Sequence, residues 1–203
     1  MLGRALDRQE PGDPVLGVER EPHCVSDSPA LTAGACKISS ADMVQLLIVY
    51  HSRTGGSRQM AEAAYAAARE EVNTTLKTAA EAQPDDLLAA DGYIFCAPEN
   101  LAAISGIMKD FFDRCYYPVL GRIEGRPYAQ MICAGSDGEN AARQTARIAK
   151  GWRLREVQKP LIVCTKAQTA EEILAQKTIP EDQLALCREL GAAMGAGLSM
   201  GAF

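Results

Sequence analysis

Residues 44–50 run VQLLIVY, apolar at every position except Gln45. A short, β-branched run of this kind predicts a strand buried on both faces of a parallel sheet. Comparable runs recur at Val72–Thr78, Tyr93–Ala97, Tyr128–Ala134 and Leu161–Thr165. The intervening segments are rich in helix formers or apolar at helical spacing. Residues 56–71 are alanine-rich. Gln83-Pro84-Asp85-Asp86 caps a helical turn that reaches Ala90. Ser105–Tyr116 sets Met108, Phe111, Phe112 and Cys115 on one face, Glu139–Gly151 is polar, and Pro180 opens a last helix that ends near Gly197. Five strands alternating with helices through right-handed crossovers predict an α/β fold, a doubly wound parallel sheet with helices on both faces.

Residues 1–42 break this pattern. They hold prolines 11, 14, 22 and 29 among charged and hydroxyl residues without apolar periodicity, so a disordered leader is expected there and one domain over 43–203. Met43 stands directly before the first strand, and translation starting at that residue would account for the leader; a regulatory or targeting tail is the alternative. The net charge is −5, and from Met43 onward 17 Lys/Arg face 19 Asp/Glu, a balance of −2. Nothing in that charge draws the chain to nucleic acid or to an anionic membrane. No run approaches the length of a transmembrane helix, and no secretory h-region is present. The seven cysteines are odd in number and form no C-x-x-C, and Cys96, Cys133 and Cys164 fall inside strand-like runs. A reducing, cytoplasmic setting is expected.

The first strand breaks into His51-Ser52-Arg53-Thr54-Gly55-Gly56-Ser57 before the alanine-rich helix. Hydroxyls and glycines at a helix N-terminus suit an anion, because unpaired N–H groups and the helix dipole point at it. A nucleoside-triphosphate loop would need G-x-x-x-x-G-K-[ST], and a dinucleotide loop G-x-G-x-x-G; neither is present. A terminal phosphate monoester held without metal fits the loop, and so does an ordinary strand-to-helix turn. Ser52–Ser57 resembles the [ST]-x-T-G-x-[ST] phosphate loop of flavodoxin-like proteins, which holds the phosphate of FMN.

That resemblance implies a flavodoxin-like sheet of order 2-1-3-4-5, with its ligand crevice between the first and third strands. Two further loops should converge there: Pro98-Glu99-Asn100-Leu101-Ala102-Ala103 and Gly135-Ser136-Asp137-Gly138-Glu139-Asn140. The segment IFCAPENLAAISGIMKDFFDRCYYP is similar to the region after the third strand in NAD(P)H-dependent relatives of the FMN reductases and Trp-repressor-binding-protein-like quinone reductases. Pro98, Ser105, Gly106, Lys109, Phe111 or Phe112, Asp113 and Arg114 carry the match. By that resemblance Ser52, Arg53, Thr54, Gly55, Gly56 and Ser57 would hold the FMN phosphate. Pro98, Glu99, Asn100 and Leu101 would border the ring, and Gly135, Ser136, Asp137 and Gly138 would line its other side. The family usually has glycine and often an aromatic where this chain has Leu101-Ala102-Ala103, and Ala79–Asp86 also lacks an aromatic. Electron carriers sandwich their flavin between aromatic rings and are far more acidic than −2. Both departures tilt toward an enzyme.

With FMN as redox centre, no side-chain nucleophile is required. His51 is expected to bond backbone, Glu99 and Asp137 to be solvated, and Tyr116 and Tyr117 to pack on their own core rather than cover the site or a dimer contact. Gly197-Leu198-Ser199-Met200-Gly201 matches G-x-S-x-G but follows a helix, against the strand a nucleophile elbow needs. A receiver domain would need acids where Tyr50-His51 and Ala97 stand, and His23 and His51 supply no metal cluster. Two readings remain. One is an FMN-binding oxidoreductase passing electrons from NAD(P)H to a quinone or similar small acceptor, as a possible homo-oligomer. The other is a non-enzymatic carrier or a flavin-less scaffold.

Overall fold

The computed structural model describes residues 43–203, so the expectation for 1–42 lies outside the described residues. Seven strands form one sheet: β1 (Gln45–Tyr50), β2 (Asn73–Thr78), β3 (Gly92–Asn100), β4 (Ala103–Ile104), β5 (Pro127–Ala134), β6 (Arg155–Glu156) and β7 (Leu161–Cys164). The helices are α1 (Gly56–Ala68), α2 (Pro84–Ala89), α3 (Gly106–Val119), α4 (Glu139–Gly151), α5 (Ala170–Leu174) and α6 (Glu181–Ser199). The parallel order is β2-β1-β3-β5, and β6 and β7 share the far edge of β5. This is the expected flavodoxin-like arrangement. Its last strand comes in two pieces because β5 advances three residues from Tyr128 to Met131 while the edge chain advances five, from Glu156 to Leu161, and the two extra residues interrupt the ladder.

Alternation along buried strands divides the chain's apolar residues between two cores. Leu46 and Ile48 of β1, with Ile94, Cys96, Ala129 and Met131, face α1 and α6. Leu47 and Val49, with Tyr93, Phe95 and Tyr128, face α3 and α4, where Phe111, Phe112 and Trp152 pack around Phe95. The face predicted for α3 is the buried one: Met108, Phe111, Phe112 and Cys115 are all enclosed. Tyr116 stacks on Trp152 at 5.8 Å between ring centroids, as expected, but Tyr117 departs from expectation: it is exposed, on the outer side of the helix. The alanine-rich face of α1 lets α6 approach closely. A Cβ on Gly191 would lie 2.1 Å from the Ala64 carbonyl oxygen.

Two arginines bind the connections on the α3 face. Arg114, one of the family-like positions, donates to Ala79 O at 2.7 Å and Ala82 O at 3.2 Å, and its Nε pairs with Asp110. Arg126 donates to the carbonyls of Leu87, Leu88 and Ala90 at the end of α2, and to the Tyr93 hydroxyl. Both are therefore structural.

Candidate functional site

The loops after β1, β3 and β5 meet at the carboxyl end of the sheet around a cleft of about 450 Å³. That volume lies in the range of small-molecule and cofactor sites. The first loop ends on Gly55, which caps α1 in a left-handed conformation (φ +86°) and offers no side chain to the first-turn N–H groups. The Ser52 and Ser57 hydroxyls are buried and make no hydrogen bond. Buried polar groups are almost always paired. Two orphaned hydroxyls beside an uncapped helix N-terminus therefore fit an anionic group with several acceptor oxygens. Arg53 and Thr54 line the cleft directly.

The second loop is a tight hairpin rather than an open turn. Glu99 and Asn100 pair antiparallel with Ile104 and Ala103, leaving Leu101 (φ +51°) and Ala102 (φ +56°) as its two left-handed corner residues. Glu99 is not solvated: its carboxylate accepts from the N–H of Gly138 at 2.8 Å and of Ala141 at 3.4 Å, so it caps α4 and ties the second loop to the third. Asn140 donates back to the Ala102 carbonyl, and Ile104 N–H donates to Gln144. Asp137 accepts from Glu139 N–H at 3.2 Å and stays on the outer side of its loop.

His51 departs from expectation. Its ring Nδ1 meets the Ser105 hydroxyl at 2.9 Å rather than backbone. Ser105 is the N-cap residue of α3 and makes no capping bond there, because its fully buried hydroxyl is turned to His51. Burial, and then the Arg53 guanidinium, hold the imidazole below its ordinary value of 6.5. Cys133, at the floor of the cleft, is pushed up to about 11 by burial, with the Lys177 ammonium and the nearby Ser57 hydroxyl pulling the other way; the Ser57 contact falls short of a hydrogen bond, so that hydroxyl stays unpaired.

Of the residues expected to form the site, Arg53, Thr54, Pro98, Glu99, Asn100, Leu101, Gly135 and Ser136 border the cleft. Ser52, Gly55, Gly56 and Ser57 form the turn beneath it, and Asp137 with Gly138 leads into α4. The remaining wall, 165–180, was not anticipated. There Ile173 and Leu174 of α5, then Lys177, close the cleft on the β7 side. This strap is tied to the first loop: Lys177 N–H donates to Thr54 O at 2.7 Å. Gln59 donates to Lys177 O at 2.7 Å and Gly55 O at 3.0 Å, and accepts from Ile179 N–H at 3.1 Å. The Gln176 amide packs on Gly55, where a Cβ would come within 2.0 Å of it. One sequence signal marks the strap, the Thr169-x-x-Glu172 capping box that starts α5. A hollow of about 710 Å³ behind the strap receives no residue from the first two loops, so the smaller cleft is the candidate site.

A model of the NADPH-dependent FMN reductase family matches residues 58–169. The chain belongs to that family. It is thus a member of an FMN-binding, flavodoxin-like group of NAD(P)H-dependent oxidoreductases. A flavodoxin from Aquifex aeolicus is 37% identical over 98 residues, covering 47% of this chain and 53% of that protein. An NAD(P)H dehydrogenase (quinone) from Acidithiobacillus ferrooxidans is 34% identical, covering 36% of this chain and 47% of that protein. The chain thus spans about half the length of the curated relatives it matches. Among solved structures, a WrbA-like flavodoxin from Agrobacterium tumefaciens superimposes with a TM-score of 0.58 at 22% identity, over 78% of this chain and 98% of that one. At that identity the likeness concerns the fold. Among the described residues of this FMN reductase family member, no helix is long and apolar enough to cross a membrane.

Proposed function

We propose that this protein is an FMN-dependent oxidoreductase that takes electrons from NAD(P)H and delivers them to a quinone or similar small acceptor in the cytoplasm. The observation that carries the reading is the pair of buried, unpartnered hydroxyls, Ser52 and Ser57, at the uncapped start of α1 under a three-loop cleft. Ser52, Thr54, Ser57 and the first-turn N–H groups of α1 would hold the FMN phosphate. Pro98–Leu101 and Gly135–Gly138 would flank the ring system. FMN, when bound, accepts hydride and releases the electrons to a second substrate. The chain's own part is orientation: Glu99 locks the second loop against the third, and Gln59 locks the strap against the first. The absence of aromatics from the cleft lining and the near-neutral charge support an enzyme over a docking carrier. The quinone dehydrogenase relative supports the acceptor class, and the free cysteines among the described residues support a reducing compartment.

The test is an absorption spectrum of the full chain loaded with FMN, repeated anaerobically after NADPH and again after NADH. Flavin absorbance should bleach within seconds and return on adding a benzoquinone. Flavin that binds yet stays oxidised would replace the reductase with a carrier. Failure to quench free FMN fluorescence on titration would overturn both.

A further inference from the structure

Three aliphatic side chains at the rim of the cleft have no role in folding. Leu101 is fully exposed, at the corner of the β3–β4 hairpin. Both corner residues of that turn are left-handed, a conformation usually given to Asn or Gly and costly for Leu or Ala. The turn persists because its surroundings over-determine it: Glu99 and Asn140 pin it to α4, and Gln144 holds Ile104. Backbone strain maintained in this way marks functional positions. Here its effect is to hold a leucine out over the cleft.

Opposite stands α5, which buries none of its five residues. It is organised instead by its capping box, by Lys177 on the carbonyls of Glu172, Ile173 and Ala175, and by the Gln59 bridge. Ile173 and Leu174 remain half exposed or more, and both line the cleft that Leu101 borders. The family match stops at residue 169, and α5 begins at Ala170, so this wall lies outside the matched span.

The geometry points to Leu101, Ile173 and Leu174 as an aliphatic clamp that selects the acceptor: an uncharged ring compound is held by its apolar faces, and a charged acceptor gains nothing from these three side chains. This rests on the reductase reading for the chemistry, but the clamp itself is a binding site for a ring. The cleft's polar side chains, Arg53, Thr54 and Asn100 among them, belong to the loops that would hold the flavin, whereas these three rim side chains offer only aliphatic surface, so affinity gained from them follows apolar area.

Three exposed positions allow variants that keep the fold. In I173S/L174S, calorimetric binding of menadione to the FMN-loaded chain should weaken about tenfold, the scale of losing about one buried aliphatic side chain. KM for menadione should rise in parallel, while KM for ferricyanide stays within about twofold and the FMN Kd is unchanged. Leu101→Asn should also weaken menadione binding yet raise the melting temperature, because asparagine tolerates the left-handed corner. Ala102→Gly should raise the melting temperature and leave menadione binding alone. Menadione binding that is unchanged in I173S/L174S and in Leu101→Asn overturns the clamp. A fall in FMN affinity in I173S/L174S instead would make the strap residues a cover for the flavin, and also overturns it; Leu101→Asn, at a residue that flanks the flavin ring, is read at saturating FMN. Because binding is read without turnover, menadione that binds to a chain inert toward NADPH faults the reductase reading and supports the clamp.

Discussion

At the scale of single residues, the site is marked by side chains that forgo an ordinary bond. Ser57 keeps a buried hydroxyl without a partner. Ser57→Ala should therefore stabilise the flavin-free protein by about 1 kcal/mol, the order of removing an unsatisfied buried polar group, while weakening FMN binding about tenfold. Thermal melts with and without FMN, and flavin fluorescence titration, measure the two effects; a variant that loses stability and keeps its FMN affinity would contradict the assignment. Ser105 gives its hydroxyl to His51 instead of capping α3. The imidazole is held below 6.5, so below that pH the unfolded chain binds a proton that the folded chain refuses. Stability from His51 is complete above about 6.5 and is lost as pH falls through the depressed folded value. Denaturant melts from pH 7.5 to 5 should show this slope, and His51→Gln should flatten it. His51's partner was not legible in the sequence, because Ser105 lies 54 residues away and only the convergence of the loops after β1 and β3 brings them together.

Among the elements, the closest fit is between α1 and α6. Gly191→Ala would drive a methyl group to 2.1 Å from the Ala64 carbonyl, with backbone on both sides to resist it. A loss of about 1–3 kcal/mol in urea unfolding is expected, as for other overpacked contacts, with the m-value unchanged. The strap depends on Gln59 in a different way. Gln59→Ala removes bonds to Gly55, Lys177 and Ile179 at once. Cleavage by trypsin after Lys177 should accelerate severalfold without a comparable fall in global stability, because α5 contributes no buried residue. The core elements were legible because their apolar periods agree with their propensities: β1, β5, α3 and α4 stand within a few residues of where the pattern put them. The β3–β4 hairpin and α5 were not. Leu101 and Ala102 carry no turn signature, since tertiary anchoring overrides their preference. A five-residue helix with no buried face shows no periodicity. β6 was not legible either, because two exposed residues, Arg155 and Glu156, carry no apolar pattern.

For the whole molecule, charge and topology set how it meets its substrates. From Met43 onward the balance is −2, too small for long-range steering of a partner. Turnover with an uncharged quinone should change by less than about twofold between 10 and 300 mM salt, whereas a carrier docking on a basic protein would lose rate steeply over that range. Stopped-flow reoxidation across a salt series measures this. The doubly wound sheet, meanwhile, divides labour between its strands and its connections. Every residue of β5 is buried, so a change there is felt in both cores. Nothing of the kind constrains α5, whose side chains all lie at the surface. Substitutions at such positions usually alter stability by less than about 0.5 kcal/mol. Mutation can therefore explore the strap's vocabulary freely while the phosphate loop and sheet stay as they are. Such a wall lets related chains drift toward different oxidants without refounding the protein.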